Sequence, residues 1–402
     1  MWHERFSEVL LDMGFFPSRA EQDIWMRDRG DHYEYIARYV DDLAVASREP
    51  KKIMDALTGI YSLKLKGTGP MSYHLGCDYY RDKERVLCGS PKKYIEKMID
   101  GYERMFGTKP RQAYTSPLAH GDHPELDDSQ EMDVDGIKQY QSLIRTLQWA
   151  VTLARFDIAT AVMTMSKFRA APRTGHMDRV KRICGYIAKM RHACLRFRTD
   201  MPDLSDVTTP EYDWAKTIYG DVAEGIPENL PKPLGKPVMT ITYVDANLYH
   251  DFLTGKSVTG ILHFLNKTTI DWFSKKQGSV ASATYGSEFV AAKTAMEQIE
   301  DLHKTLRCLG VPLEGPAYMF GDNKAVVSSS TIPHYKLNKR HTALVYHKVR
   351  ESIAAKILKF IFIPGTLNPA DTLSKAWGYQ QVWKTLQPIL FWEGDTADLL
   401  DE

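Results

Sequence analysis

The stretch Val238-Met-Thr-Ile-Thr-Tyr-Val244-Asp245 decides the fold of the C-terminal half. Its β-branched and aromatic residues are those of a strand, and it delivers a carboxylate at its end. Three more carboxylates follow in contexts suited to divalent metal: Glu288 after Tyr285-Gly-Ser, Asp322 after Phe320-Gly, and Asp371 after Asn368-Pro-Ala. Working outward, strands are expected over 238–244, 260–265, 269–274, 317–320 and 357–363. Helices are expected over 287–309, up to 355 and over 369–375. Three consecutive strands, a helix, a strand, helices and a fifth strand describe a mixed five-stranded sheet flanked by helices.

An Asp, Glu, Asp, Asp order on strand, helix, strand end and late helix is what two-magnesium phosphodiester chemistry needs. Hard oxygen ligands must converge within a few ångström, so that one ion activates water and the other stabilises the leaving oxygen. Each acid alone has an ordinary role. Glu288 is a first-turn helix acid favoured by the dipole, Asp322 a turn or cap residue, and Asp245 and Asp371 a loop and a helix-start acid. The functional reading rests on all four falling on the right elements in one order.

Far upstream, Tyr39-Val-Asp41-Asp42-Leu43 lies between two apolar runs, with period-two alternation over 33–40. An Asp pair at a hairpin tip is ordinarily turn chemistry. Ahead of it, a helical apolar spacing from Trp2 to Met13 stops at Gly14. From Pro91 the chain turns helical, over 91–106 and 138–198, with an acidic loop near 120–136. The segment 199–237 holds six prolines and an acidic excess, the composition of a boundary.

The 402 residues are 43% hydrophobic and 26% charged, enough for two or three packed domains. A net charge of +1 conceals segregation. Residues 1–50 hold six Arg against eleven Asp or Glu, whereas 137–200 hold thirteen Lys or Arg against three Asp. The second excess is a candidate phosphate footprint, or a solvated helical face. The five cysteines form no CxxC pair and the thirteen histidines no zinc-finger spacing, which argues against a disulfide framework or structural zinc and for a reducing compartment. No run reaches the ~18 apolar residues of a membrane span, and the charged N-terminus does not read as a signal peptide.

The motifs resemble one family. Residues 238–377 resemble the RNase H domain of copia-type LTR retrotransposon polyproteins, on Tyr243-Val-Asp-Ala-Asn247, Lys256-Ser-Val-Thr-Gly260, Trp272-Phe-Ser-Lys-Lys-Gln277, Ser287-Glu-Phe-Val-Ala-Ala292, Gly321-Asp-Asn323, Lys339-Arg-His-Thr342 and Asn368-Pro-Ala-Asp-Thr-Leu-Ser-Lys375. Tyr39-Val-Asp-Asp-Leu43 resembles the catalytic turn of a reverse-transcriptase palm, and Tyr73-His-Leu-Gly-Cys-Asp78 the hairpin that grips the primer. Pro91-Lys-Lys-Tyr-Ile95 resembles the start of the thumb.

The resemblance implies an α/β and α+β multidomain chain. It divides into a truncated palm over 1–90, a helical thumb and connection region over 91–198, a linker over 199–237, an RNase H-like domain over 238–388 and an acidic tail over 389–402. It implies Mg2+ or Mn2+ on Asp245, Glu288, Asp322 and Asp371, with Asp41 and Asp42 as a polymerase remnant, and cleavage of the RNA strand of an RNA–DNA hybrid. Arg145, Arg155, Lys181, Arg182, Lys275, Lys276, Lys339 and Arg340 are the candidate phosphate contacts. Template-primer nucleic acid and the missing N-terminal part of the polyprotein are the implied partners. The implied location is inside the cell, cytoplasmic in a virus-like particle, with the nucleus as a further compartment.

There are departures. Gly286 stands where the family has Glu, and Pro364-Gly-Thr-Leu-Asn368 has no His of the kind cellular RNases H place before the last helix. The palm needs an earlier aspartate for which the residues before Asp41 offer no counterpart, since Asp12 and Asp23 lie in a helix and the loop after it. DNA synthesis by this chain alone is therefore not expected. A non-catalytic nucleic-acid-binding relic is the alternative. An integrase-type transferase fits less well, because that class orders its acids Asp, Asp, Glu.

Overall fold

The computed structural model describes residues 2–40, 42–335, 337 and 343–392. The chain forms two compact units, each discontinuous in sequence.

The first unit takes Met1–His74, Gly225–Met239 and Gln298–Gly315. Helix α1 (Trp2–Asp12) ends as its sequence requires, with Gly14 in the left-handed region at φ 80. It buries Phe6, Val9 and Leu10 against Trp25 and Ile36 of an antiparallel sheet. That sheet runs β1 (Phe16–Pro17), β2 (Ile24–Asp28), β3 (Tyr33–Tyr39) and β4 (Asp42–Ala46). Helix α2 (Pro50–Asp55) and the π turn after it add Ile53 and Leu57 to the same core. A two-residue strand, β5 (Tyr73–His74), closes the segment. Tyr39 pairs with Asp42, and Val40 between them takes φ 51. Asp41 itself lies outside the described residues. Asp12 and Asp23 are spent on structure: Asp12 accepts from the Tyr61 hydroxyl, and Asp23 pairs with Arg38.

The second unit takes Leu75–Glu224, Thr240–Glu297 and Pro316–Glu402. Strands β6 (Cys77–Arg81), β7 (Leu87–Ser90) and β8 (Leu195–Phe197) form an antiparallel sheet. Helices α3 (Lys92–Phe106), α4 (Val134–Thr152), α5 (Ala159–Met165) and α6 (Thr174–Lys189) lie between them in sequence. Asp133 caps α4 by accepting from Gly136 N.

The expected five-stranded mixed sheet follows, in the order β11-β10-β9-β12-β13. Strands β9 (Thr240–Asp251), β10 (Lys256–Leu265) and β11 (Thr268–Lys276) run antiparallel. Strands β12 (Ala317–Gly321) and β13 (Leu358–Phe362) extend the β9 edge in parallel. Helix α7 (Thr284–Cys308) comes between β11 and β12 in sequence, and α8 (Lys324–Thr331), α9 (Ala343–Ala354), α10 (Asp371–Ser374) and α11 (Tyr379–Leu390) complete the chain. Among the described residues no helix is long and apolar enough to cross a membrane.

Three elements differ from the sequence expectation. The helical stretch expected over 138–198 gives way to strand β8 at Leu195–Phe197, which pairs with β7. Strand β9 runs well past Asp245, because its polar end is buried: His250 bonds Thr164 and Asp251 pairs with Lys167. Helix α11 was not expected at all. Its Val382, Trp383, Leu386 and Leu390, with Trp377 and Phe391, join Tyr186, Ile183 and Leu147 of the helical region in one hydrophobic core.

Candidate metal-carboxylate site

Strand register builds the site. Parallel pairing of β9 with β12 sets Val244 opposite Gly321, so the next residues, Asp245 and Asp322, emerge side by side. Glu288 comes from the second turn of α7, whose start is tied down by Gln277: its Nε2 donates to Ser287 O at 2.9 Å and to Thr259 Oγ1 at 3.0 Å. Carboxylate oxygens of Asp245, Glu288 and Asp322 all lie within 4.8 Å of one another. A cleft of about 590 Å³ opens over them, lined also by Asn247, Thr284, Asn323, Lys324 and Lys375.

Asp371 approaches from α10. That helix lies so close to β10 that a Cβ on Gly260 would stand 2.7 Å from Ala370 O and 2.8 Å from the Leu373 carbonyl carbon. Asn368 Nδ2 donates to Val244 O at 2.9 Å, and the Ser374 hydroxyl donates to Asp245. Asp371 is not in the tight trio. Lys375 links it to the trio, its Nζ standing 2.8 Å from Asp371 Oδ1 and 3.3 Å from Asp245. Gly365 faces Asp322, where a Cβ would sit 2.9 Å from Oδ2, so the loop before α10 passes over that carboxylate as bare backbone.

The electrostatics are those of acids crowded beyond their counter-charge. Burial, then the charges of Asp245 and Asp322, raises Glu288 well above the usual carboxylate range. Burial and Asp245 raise Asp322. Burial and the same neighbour push Asp371 up to about 7. On Lys375 burial works against the charge, but Asp245 and Asp371 outweigh it and hold the ammonium. Hard oxygen donors, close-set, buried and short of cations, fit a divalent metal.

No protein-family profile matches the chain. The chain is 25% identical over 386 residues to the retrovirus-related Pol polyprotein from transposon TNT 1-94 of Nicotiana tabacum, covering 93% of this chain and 26% of that one. Identity is 24% over 378 residues to the corresponding polyprotein from transposon RE1 of Arabidopsis thaliana, covering 93% and 23%. It is 27% over 304 residues to the putative transposon Ty5-1 protein of Saccharomyces cerevisiae, covering 74% and 84%. Its homologues are Pol polyproteins of Ty/copia-type retrotransposons. The chain spans about a quarter of the length of the plant polyproteins it matches. Among solved structures, the N-terminal RNase H domain of rv2228c from Mycobacterium tuberculosis aligns with 38% of this chain at 14% identity and a TM-score of 0.27. LC11-RNase H1 in complex with RNA/DNA hybrid aligns with 34% at 17% identity and a TM-score of 0.27.

In this copia-type Pol homologue the expected phosphate contacts divide. Arg145 and Lys275 are exposed and open to a ligand. Arg155 is a correction: it is wholly buried on Asp157 and cannot meet a phosphate. Lys276 is held by Asp251 at 3.1 Å. Arg182 is half-buried, lying over the Tyr114 ring and donating to Ser116 Oγ, and Lys181 lies over Phe106. Lys339 and Arg340 lie outside the described residues. Asp42 is exposed with His74 at 3.9 Å, and among the described residues it joins no group of three potential ligands. The sequence reading missed Lys375 as a member of the site, although it sits one helical turn after Asp371 within a quoted motif.

Proposed function

We propose that this chain is an RNase H-type nuclease that cleaves the RNA strand of RNA–DNA hybrids. The observation that carries the proposal is the convergence of Asp245, Glu288 and Asp322 within 4.8 Å in a buried, cation-poor setting. Mg2+ or Mn2+ held by these three, with Asp371 beside them, would supply an activated water and a stabilised leaving oxygen. The protein's own part is positional. Sheet register fixes Asp245 and Asp322, Gln277 fixes the start of α7 beneath Glu288, and Gly260 lets α10 bring Asp371 close. Burial and then its acidic neighbours raise Glu288, so counter-charge at the site would favour its ionised form. A hybrid would be bound through phosphates and 2′-hydroxyls, with exposed Arg145 and Lys275 as contacts.

The palm-like hairpin around Asp42 is assigned no polymerase chemistry in this chain. The sequential division into palm remnant (1–90), thumb and connection (91–198), linker (199–237) and nuclease (238–388) belongs to the same reading.

The test is cleavage of a labelled RNA strand in a hybrid, with single-stranded RNA as control. Asp245→Asn and Asp322→Asn should each lower the rate at least ~100-fold while circular dichroism stays unchanged. Equal rates in the mutants and the parent would remove the assignment.

A further inference from the structure

Lys375 lines the cleft, pairs with two of its acids, and is left without a role by the proposed chemistry. Its ammonium bridges Asp371 (2.8 Å) and Asp245 (3.3 Å) from the residue that caps the four-residue helix α10. Its own partners are therefore one acid of the tight trio and the acid that stands outside it. Ser374, the preceding residue, also bonds Asp245, so two consecutive side chains are directed at one carboxylate.

We propose that Lys375 is a built-in counter-cation, which competes with divalent metal for Asp245 and Asp371 and so sets the metal concentration the site needs. This inference rests on the nuclease reading and adds a residue to it. The physical argument is charge balance. Among the described residues, Lys375 is the ammonium at hydrogen-bond distance of the four-carboxylate group, pairing with Asp245 and Asp371, where 1% of the Asp245 side chain and 37% of the Lys375 side chain reach solvent. A divalent ion seated on Asp245 is repelled by an ammonium a few ångström away, and that repulsion is weakly screened at a buried site. Asp371 and Asp245 share the ammonium, so a metal ion that takes both carboxylates must displace it. The position of Lys375 one turn after Asp371 ties the two together through α10, so the competition is set by a helix whose own placement depends on Gly260.

The role is a positioning one, and its direction is unusual: removing the lysine should tighten metal binding. The experiment titrates Mn2+ alone into the full chain, without nucleic acid, and reads affinity by calorimetry and by free Mn2+ in electron paramagnetic resonance. Lys375→Met is expected to bind Mn2+ at least ~10-fold more tightly than the parent. Lys375→Arg, which keeps the charge, is expected to stay near the parent and guards against a simple folding defect. In hybrid cleavage, the half-saturating Mg2+ concentration of Lys375→Met should fall by a similar factor. Asp322→Asn in the parent separates the two readings. If it abolishes Mn2+ binding while Lys375→Met binds no tighter than the parent, the metal site stands and the competition is overturned. If neither parent nor Lys375→Met binds Mn2+, the metal-site reading falls and the inference falls with it.

Discussion

The guanidinium of Arg155 grips Asp157 through two hydrogen bonds, Nε to Oδ1 at 2.9 Å and Nη2 to Oδ2 at 2.6 Å, with both side chains shut away from solvent. The rings of Tyr186 and Phe391 flank it at 5.8 and 6.0 Å. A pair this deep is costly to break and nearly neutral to replace whole, because the large penalty comes from stranding one charge. Arg155→Met should therefore destabilise by about 3–5 kcal/mol in urea unfolding. The double variant Arg155→Met/Asp157→Leu should recover most of that loss. It should also leave the salt dependence of hybrid binding unchanged. A salt slope lower by about one would mean that Arg155 reaches a phosphate after all.

Arg155 shows where counting charges misleads. The basic excess of 137–200 is partly answered by acids from outside that stretch: Arg179 by Asp122 and Asp127, Arg196 by Asp82 and Glu84, Lys167 by Asp251. Such long-range partners leave no local trace. Strand and helix order, by contrast, was legible, since β-branched runs and carboxylate-bearing strand ends are local signals. The adjacency of Asp245 and Asp322 follows from a register that no local pattern records. Helix α11 was hidden by Pro388 near its end and by Gly378 at its start, both ordinary breakers.

Helix α11 carries the second prediction. Trp383 is 7% exposed and stacks on Tyr379 at 4.9 Å and Phe391 at 5.3 Å, inside a core shared with α3, α4 and α6. Trp383→Ala should cost about 3–5 kcal/mol. Because the core is continuous, hydrogen exchange should quicken in α6 and in β10 together. Loss of protection confined to α11 would show that the sheet and the helical region unfold independently.

Two glycines make opposite predictions. A methyl on Gly260 meets backbone atoms of α10 at 2.7 and 2.8 Å, which cannot yield without moving the helix. Gly260→Ala should displace Asp371 and Lys375 and reduce hybrid cleavage at least ~100-fold, since misplacement of about 1 Å has that effect. A methyl on Gly286 meets only the Ala281 Cβ, at 3.5 Å, within a helix. Gly286→Ala should stabilise by roughly 0.5–1 kcal/mol and leave the cleavage rate alone. Thermal unfolding and the hybrid assay on both variants decide the matter, and equal behaviour of the two would contradict the packing.

His250 makes the fold sensitive to acid. Asn247 Nδ2 donates to its Nδ1 at 3.0 Å, which leaves Nε2–H to donate to Thr164 Oγ1 at 2.9 Å. Burial, then the charge of Lys167, lowers its pKa to about 4, against the opposing pull of Glu125 and Asp251; His123 adds to the lowering. The folded protein thus holds a neutral imidazole where the unfolded chain, with a pKa near 6.5, takes up a proton. Between those two values the unfolded state binds more protons, so stability rises with pH and is lost as pH falls from about 6.5 to about 4. The loss should reach at most about 3 kcal/mol. Asp251 acts lower: burial raises it, but Lys167 and Lys276 outweigh that and hold it below the usual range, so its contribution disappears only below the ordinary carboxylate pKa. His250→Gln keeps a neutral donor and acceptor and cannot titrate. Its urea midpoint should stay flatter than the parent's from pH 7 to pH 4, and coincident pH profiles would show that His250 takes up its proton in the folded state as readily as in the unfolded one.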